Sequence, residues 1–83
     1  MQNIMYIIPQ YGHIEIHLKE IMERQNLTRN AVARAIDTRF EVVNKWYNGS
    51  VEKIDADILA RLCYVLDCDA GDLIKYIPPE EQP

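Results

Sequence analysis

Residues 43–50 read Val43-Asn44-Lys45-Trp46-Tyr47-Asn48-Gly49-Ser50, and the fold turns on what Asn48-Gly49 does there. The pair suits a two-residue hairpin turn, because both residues tolerate positive φ. It equally suits a helix stop, since a glycine just past the last turn takes the left-handed conformation without steric cost. The residues upstream tip the balance. Thr38-Arg39-Phe40-Glu41 has the T-x-x-E form of a capping box, in which the threonine oxygen and the glutamate each satisfy a free backbone N–H. Val43 and Trp46, with Val42 and Tyr47 beside them, then follow helical spacing rather than alternation. The expected element is a helix that starts at the Thr38 box and stops at Asn48-Gly49.

Working outward, Leu18, Ile21 and Met22 form the i, i+3, i+4 stripe of an amphipathic helix over 18–24. Thr28 can cap the next helix, with Leu27 packing on Val32 as a hydrophobic staple. Ala31, Val32, Ala35 and Ile36 are its expected buried stripe, small enough for close approach of a neighbour. Downstream, Asp55 can cap a further helix, with Ile54 and Leu59 as a staple and Asp57 favouring the positive end of the dipole. Its broad apolar face of Ile58, Leu59, Leu62, Cys63, Val65 and Leu66 predicts the most buried helix of the domain. A last short helix is expected from Asp69, with Asp72 at its third position and Leu73, Ile74 and Ile77 apolar, before Pro78-Pro79 stop it.

The N-terminal stretch differs. Ile4–Ile8 is apolar and β-branched, Pro9-Gln10-Tyr11-Gly12 is turn-like, and Ile14 and Ile16 alternate with Glu15 and His17. A β-hairpin is expected here. A lone hairpin is marginal in water, so it should pack on the helices, pair with the C-terminal Leu73–Ile77 stretch, or meet a second copy of the chain. The expected organisation is an N-terminal extension over 1–17, a helical domain over 18–77 and a tail over 78–83.

Composition bounds the function. Eighty-three residues, 48% hydrophobic and 27% charged, are those of one small globular domain. The apolar runs are too short for a membrane span, and Met1–Ile8 lacks the positive charge of a signal peptide, so a cytoplasmic protein is expected. Cys63 and Cys68, five apart, match neither a redox motif nor a zinc knuckle and are expected as small core residues. His13 and His17 have no further ligand nearby, so no metal site is expected. No nucleophile or acid–base pair points to an enzyme. Net charge is -4, but it is unevenly spread. Residues 24–53 hold six Lys and Arg against three Asp and Glu, whereas residues 54–83 hold two against seven. A basic middle lies between acidic ends.

Taken together, Leu27–Gly49 (LTRNAVARAIDTRFEVVNKWYNG) resembles the helix-turn-helix of the Cro and lambda-repressor-like family, also called the XRE family. In that pattern Thr28 caps the second helix and Ala33 takes the tight-packing position. Ile54-Asp55, then Leu59, Leu62 and Cys63, then Leu66-Asp67-Cys68 and Gly71-Asp72-Leu73 are similar to the short regulators of that family. The resemblance covers about residues 14–78. It implies an all-α, compact five-helix domain whose third helix enters the major groove of duplex DNA, with Val43 and Trp46 on the core side.

The resemblance puts Phe40, Glu41, Val42, Asn44 and Lys45 on or near the groove side. Lys45 can donate to guanine or touch a phosphate, and Asn44 can meet adenine, a phosphate or only solvent. Phe40 and Val42 can pack on thymine methyl groups, and Phe40 equally can cover the end of the core. Glu41 can accept from cytosine, but the capping box already accounts for it. Arg29 and Arg39 can hold phosphates at the turn, and Asn30 and Asn48 complete the candidate set. Two residues depart from the pattern, Asp37 at the usual turn glycine and Thr38 at a customary apolar position. The expected function is a transcriptional regulator binding duplex DNA as a homodimer through the hairpin or the C-terminal apolar stretch, with no cofactor and no small-molecule effector. A protein-interaction module such as an antirepressor, favoured by Glu41 and the acidic C-terminal third, is the other reading.

Overall fold

A computed structural model describes residues 10–79 of the chain. Its elements run β1 (His13–Ile16), α1 (Leu18–Arg24), α2 (Arg29–Ala35), α3 (Phe40–Tyr47), α4 (Ala56–Leu66), α5 (Ala70–Leu73) and β2 (Ile74–Ile77). The five helices surround a core of Leu18, Ile21, Met22, Val32, Ala33, Ile36, Val43, Trp46, Leu62, Leu66 and Leu73. Each enters from the apolar side of its own helix, so burial of these stripes drives the assembly.

Helix starts follow local chemistry. The Thr28 hydroxyl accepts the Ala31 N–H at 3.1 Å, and the Asp55 carboxylate accepts from Asp57 and Ile58 at 2.8 and 3.2 Å. At α5, Asp72 reaches back to accept the Asp69 N–H at 2.9 Å. The Thr38 capping box does not form. Thr38 instead spends its N–H on the Ala33 carbonyl at 2.9 Å, the chain extends at Arg39, and Arg39 becomes an N-cap with no side-chain cap bond.

Helix stops share one geometry. Asn26, Asp37, Gly49 and Asp67 follow α1 to α4 with φ of 56°, 56°, 71° and 54°. In each case the next residue returns its N–H to a carbonyl five positions back: Leu27 to Met22, Thr38 to Ala33, Ser50 to Lys45 and Cys68 to Cys63. This is the 6→1 bond of the Schellman motif, which satisfies carbonyls that a helix end leaves open. Asn48-Gly49 is therefore a helix stop.

The sheet corrects the reading of the C-terminal end. β1 pairs antiparallel with β2, His13 facing Ile77 and Ile16 facing Ile74, and the His17 N–H adds a bond to the Leu73 carbonyl at 2.7 Å. Ile74–Ile77, expected as the end of the last helix, is strand. The helix stops at Leu73 because β1 offers this segment a ladder from the other end of the chain. Of the partners expected for the N-terminal hairpin, its described half meets two, pairing with the Leu73–Ile77 stretch and packing Ile16 against the helical core. The Ile4–Ile8 half of the expected hairpin lies outside the described residues. Gly12 enters β1 at φ 86°, and a Cβ there would run into the Ile77 carbonyl oxygen.

Three burial expectations also change. In α2 it is Ala33, not Ala35, that joins Val32 and Ile36 in the core, while Ala35 is exposed. In α4 only Leu62 and Leu66 are fully buried, against three residues of the shorter α1, so α4 is not the most buried helix. Its Ile58, Leu59, Cys63 and Val65 pack at the margin of the core. Cys63 and Cys68 are free and half-buried rather than core residues. Desolvation, then the neighbouring Cys63 thiol, pushes the Cys68 thiol up to about 11, which keeps it protonated and unreactive at neutral pH.

Candidate nucleic-acid interface

The α2–α3 corner is built from behind. Asp37 takes the left-handed turn, a conformation that aspartate adopts more readily than most residues. Arg61 reaches across from α4 and donates from Nη1 to the Ile36 carbonyl at 2.8 Å and the Asp37 carbonyl at 3.3 Å. Asp57, one turn earlier on α4, holds the same guanidinium at 2.8 Å. The turn between the two helices is thus fastened to the rest of the domain through its backbone, with Ile36 in the core and the Asp37 and Arg39 side chains exposed.

Packing sets the rotation of α3. Val43 and Trp46 are 1% and 3% exposed, which points that side of the helix inward. At ~100° per residue, Glu41 and Asn48 lie on the opposite side, flanked by Asn44 and Lys45. Glu41, Lys45 and Asn48 are exposed and Asn44 is half-buried. Val42 falls toward α4 instead: it is half-buried, packs against the core and lines a shallow hollow with Thr38, Lys45 and Val51.

Phe40, Asn44 and Tyr47, at i, i+4 and i+7, form the row of α3 that meets α2, and Arg29 sits over all of it. Its guanidinium lies 5.5 Å from the Phe40 ring centroid and 4.8 Å from that of Tyr47, and it donates to Asn44 Oδ1 at 2.7 Å. Lys19 of α1 approaches the same Tyr47 ring at 5.9 Å. Aromatic faces attract cations through their quadrupole, and a stacked guanidinium loses rotamer freedom before any ligand arrives. Asn30 and Arg39 are exposed, one residue along α2 from Arg29 and at the N-cap of α3 respectively.

Apart from Asn30 and Arg39, exposed near the starts of α2 and α3, the expected site residues separate into three groups. Arg29, Phe40 and Asn44 are brought into one contact, Glu41, Lys45 and Asn48 share the outward side, and Val42 lies apart on the α4 side. Three contributors were not in the expected set. Tyr47 is the second ring under Arg29, Lys19 is its second cation, and Arg61 holds the turn. Tyr47 was legible as the i+7 partner of Phe40; the other two join through tertiary packing alone.

Elsewhere, His13 and His17 flank Glu15 at 3.5 and 3.2 Å, and His17 also approaches Glu20 at 3.3 Å. Among the described residues no group of three or more His, Cys, Asp or Glu is placed to hold a metal ion. No helix among them is long and apolar enough to cross a membrane.

Solved structures share this architecture. The chain superposes on a candidate DNA-binding protein from Bacteroides fragilis with a TM-score of 0.67 and 16% identity, covering 76% of this chain and 100% of that one. It superposes on the transcriptional regulator VanUg with a TM-score of 0.67 and 19% identity, covering 94% of this chain and 99% of the other. No curated protein matches it in sequence. At these identities the neighbours establish the fold. The family rests on sequence: residues 17–79 match the model of the Cro/C1-type HTH DNA-binding domain, a span from the N-cap of α1 to just beyond β2. The chain belongs to the Cro/C1-type helix-turn-helix family of DNA-binding domains.

Proposed function

We propose that this chain is a sequence-specific transcriptional regulator, acting in the cytoplasm as a homodimer that lays α3 in the major groove of duplex DNA. The observation that carries the reading is the orientation of α3: Val43 and Trp46 lock one side into the core and leave Glu41, Asn44, Lys45 and Asn48 facing out beside a stacked guanidinium. Such a helix can present side chains to base edges while contacts from the neighbouring element fix its register. Lys45, Asn44 and Asn48 are the candidates for base edges, and Phe40 for a thymine methyl group. Arg29, Asn30 and Arg39 are the candidates for phosphates. Val42 is left at most a peripheral role.

Homodimerisation follows from the reach of one short helix, which covers only a few base pairs, and from the two-fold symmetry of palindromic operators. The β1–β2 sheet is the candidate surface. Ile14 and Tyr76 face each other across it and are 51% and 59% exposed. Glu41, on the outward side of α3, favours the second reading, a module that meets a basic protein surface rather than phosphates.

Anisotropy titration with a pool of random-sequence duplexes separates the two. Affinity is expected to fall steeply with salt, with a slope of roughly 0.9 per neutralised phosphate, and Arg39→Ala is expected to lower that slope by about one unit. If the wild-type chain retains no duplex from the pool at low salt, the regulator reading is lost.

A further inference from the structure

Cys63 and Cys68 stand five apart, a spacing that is no redox motif, but the end of α4 makes them neighbours. Asp67 takes the left-handed position at φ 54°, and the Cys68 N–H returns to the Cys63 carbonyl at 3.1 Å. In a Schellman stop the residues joined by this 6→1 bond often touch through their side chains, commonly two apolar ones. Here the two thiols lie side by side. Covalent geometry and the length of that bond hold the two Cα atoms within about 7 Å, and a disulfide spans roughly 4.4–6.8 Å. Both side chains are half-buried and line one hollow with Asp67, Asp69 and Asp72.

We propose that Cys63 and Cys68 form a disulfide modification site, closed by exchange with a small-molecule disulfide, that staples the α4 stop from which α5 and β2 depart. The proposal does not depend on DNA binding. Cys68 is held protonated at neutral pH, so the first attack falls to Cys63. Its thiolate attacks one sulfur of the small disulfide, that S–S bond breaks, and one small thiolate leaves and takes up a proton. Cys68 then gives up its proton and attacks Cys63 Sγ, expelling the second small thiol. Two cysteine thiols are oxidised to one disulfide, and one small disulfide is reduced to two thiols. A reducing compartment keeps the pair open, and the link forms where small disulfides accumulate.

The test is equilibration of the full chain with hydroxyethyl disulfide and mercaptoethanol, folded in buffer and unfolded in urea, followed by acid quench and mass spectrometry. The reagent is uncharged, so the three carboxylates do not repel it. The folded chain is expected to lose two hydrogen atoms with no reagent attached, and digestion should place the link between Cys63 and Cys68. It should favour the link on the order of tenfold more than the unfolded chain, because the fold has already brought the thiols together. In the wild type, closing of the mixed disulfide should speed up roughly tenfold from about pH 7 to pH 8, as the thiolate fraction of Cys68 grows. Cys68→Ser is expected to stop at a mixed disulfide on Cys63, and the comparison of folded with unfolded wild type needs no variant. If the folded chain stops at mixed disulfides, joins two copies instead, or favours the link no more than the unfolded chain does, the fold does not prepare the bond and the proposal is overturned.

Discussion

The α2–α3 corner and the β1–β2 sheet both carry exposed aromatic side chains, and they are built differently. At the α2–α3 corner, the rings of Phe40 and Tyr47 lie under Arg29, with Lys19 also close to Tyr47. On the β1–β2 sheet, Tyr76 and Ile14 stand opposite each other, the Tyr76 hydroxyl donates to the Tyr11 carbonyl at 2.6 Å, and among the described residues no cation stacks on its ring. A ring covered by a cation presents positive charge, which suits an anionic partner. An uncovered ring beside an isoleucine presents apolar area, which suits another apolar face. The two surfaces fit different kinds of partner, and one small core supports both.

Breaking that shared support should have the largest effect. Trp46→Ala removes the side chain that anchors α3 from within, and a loss of about 3–5 kcal/mol is expected. That is a large part of the roughly 5–15 kcal/mol available to a folded domain, so urea unfolding should show little cooperative transition. Retention of a normal transition would mean that the two surfaces do not depend on one core. Gly12→Val acts on the sheet alone. The new side chain meets the Ile77 carbonyl at a positive φ that β-branched residues avoid, and a loss of about 2 kcal/mol is expected. The urea midpoint should fall, and amide exchange should rise in β1 and β2 before it rises in α3. Arg61→Ala acts on the corner alone. Losing the bonds to the Ile36 and Asp37 carbonyls, which water can partly replace, is expected to cost about 1 kcal/mol. Amide shift changes should centre on the turn after α2 and leave β1–β2 unmoved; changes spread evenly over both surfaces would remove the distinction between them.

What could be read in advance follows the range of the interaction that decides each feature. The caps at Thr28, Asp55 and Asp69, the stop at Gly49 and the inward row of Val43 and Trp46 are settled within a few residues, and all were legible. The Thr38 box had the right letters, but Thr38 was already bonded to Ala33 in the preceding helix stop, a competition that a four-residue motif does not display. Ile74–Ile77 has apolar spacing compatible with helix, and only β1, at the far end of the chain, makes it a strand. Ala35 and Ala33 differ in burial through the rotation of α2 in the bundle, which similar small residues cannot specify. In the interface, Arg29, Phe40 and Asn44 were legible as candidates, whereas their mutual contact was not. It depends on two helices meeting at the corner that Arg61 holds.

The four repeated helix stops have a consequence for change over time. Each is closed by main-chain atoms, with the left-handed position filled by asparagine, aspartate or glycine. Helix length and the start of the following segment are thus set without help from the outward side chains of α3. Replacing Glu41, Lys45 or Asn48 would alter the exposed side of α3 and leave its frame where it is. The domain is in that sense a mount with an exchangeable face, on which new binding preferences can be tried one residue at a time without first rebuilding what lies beneath.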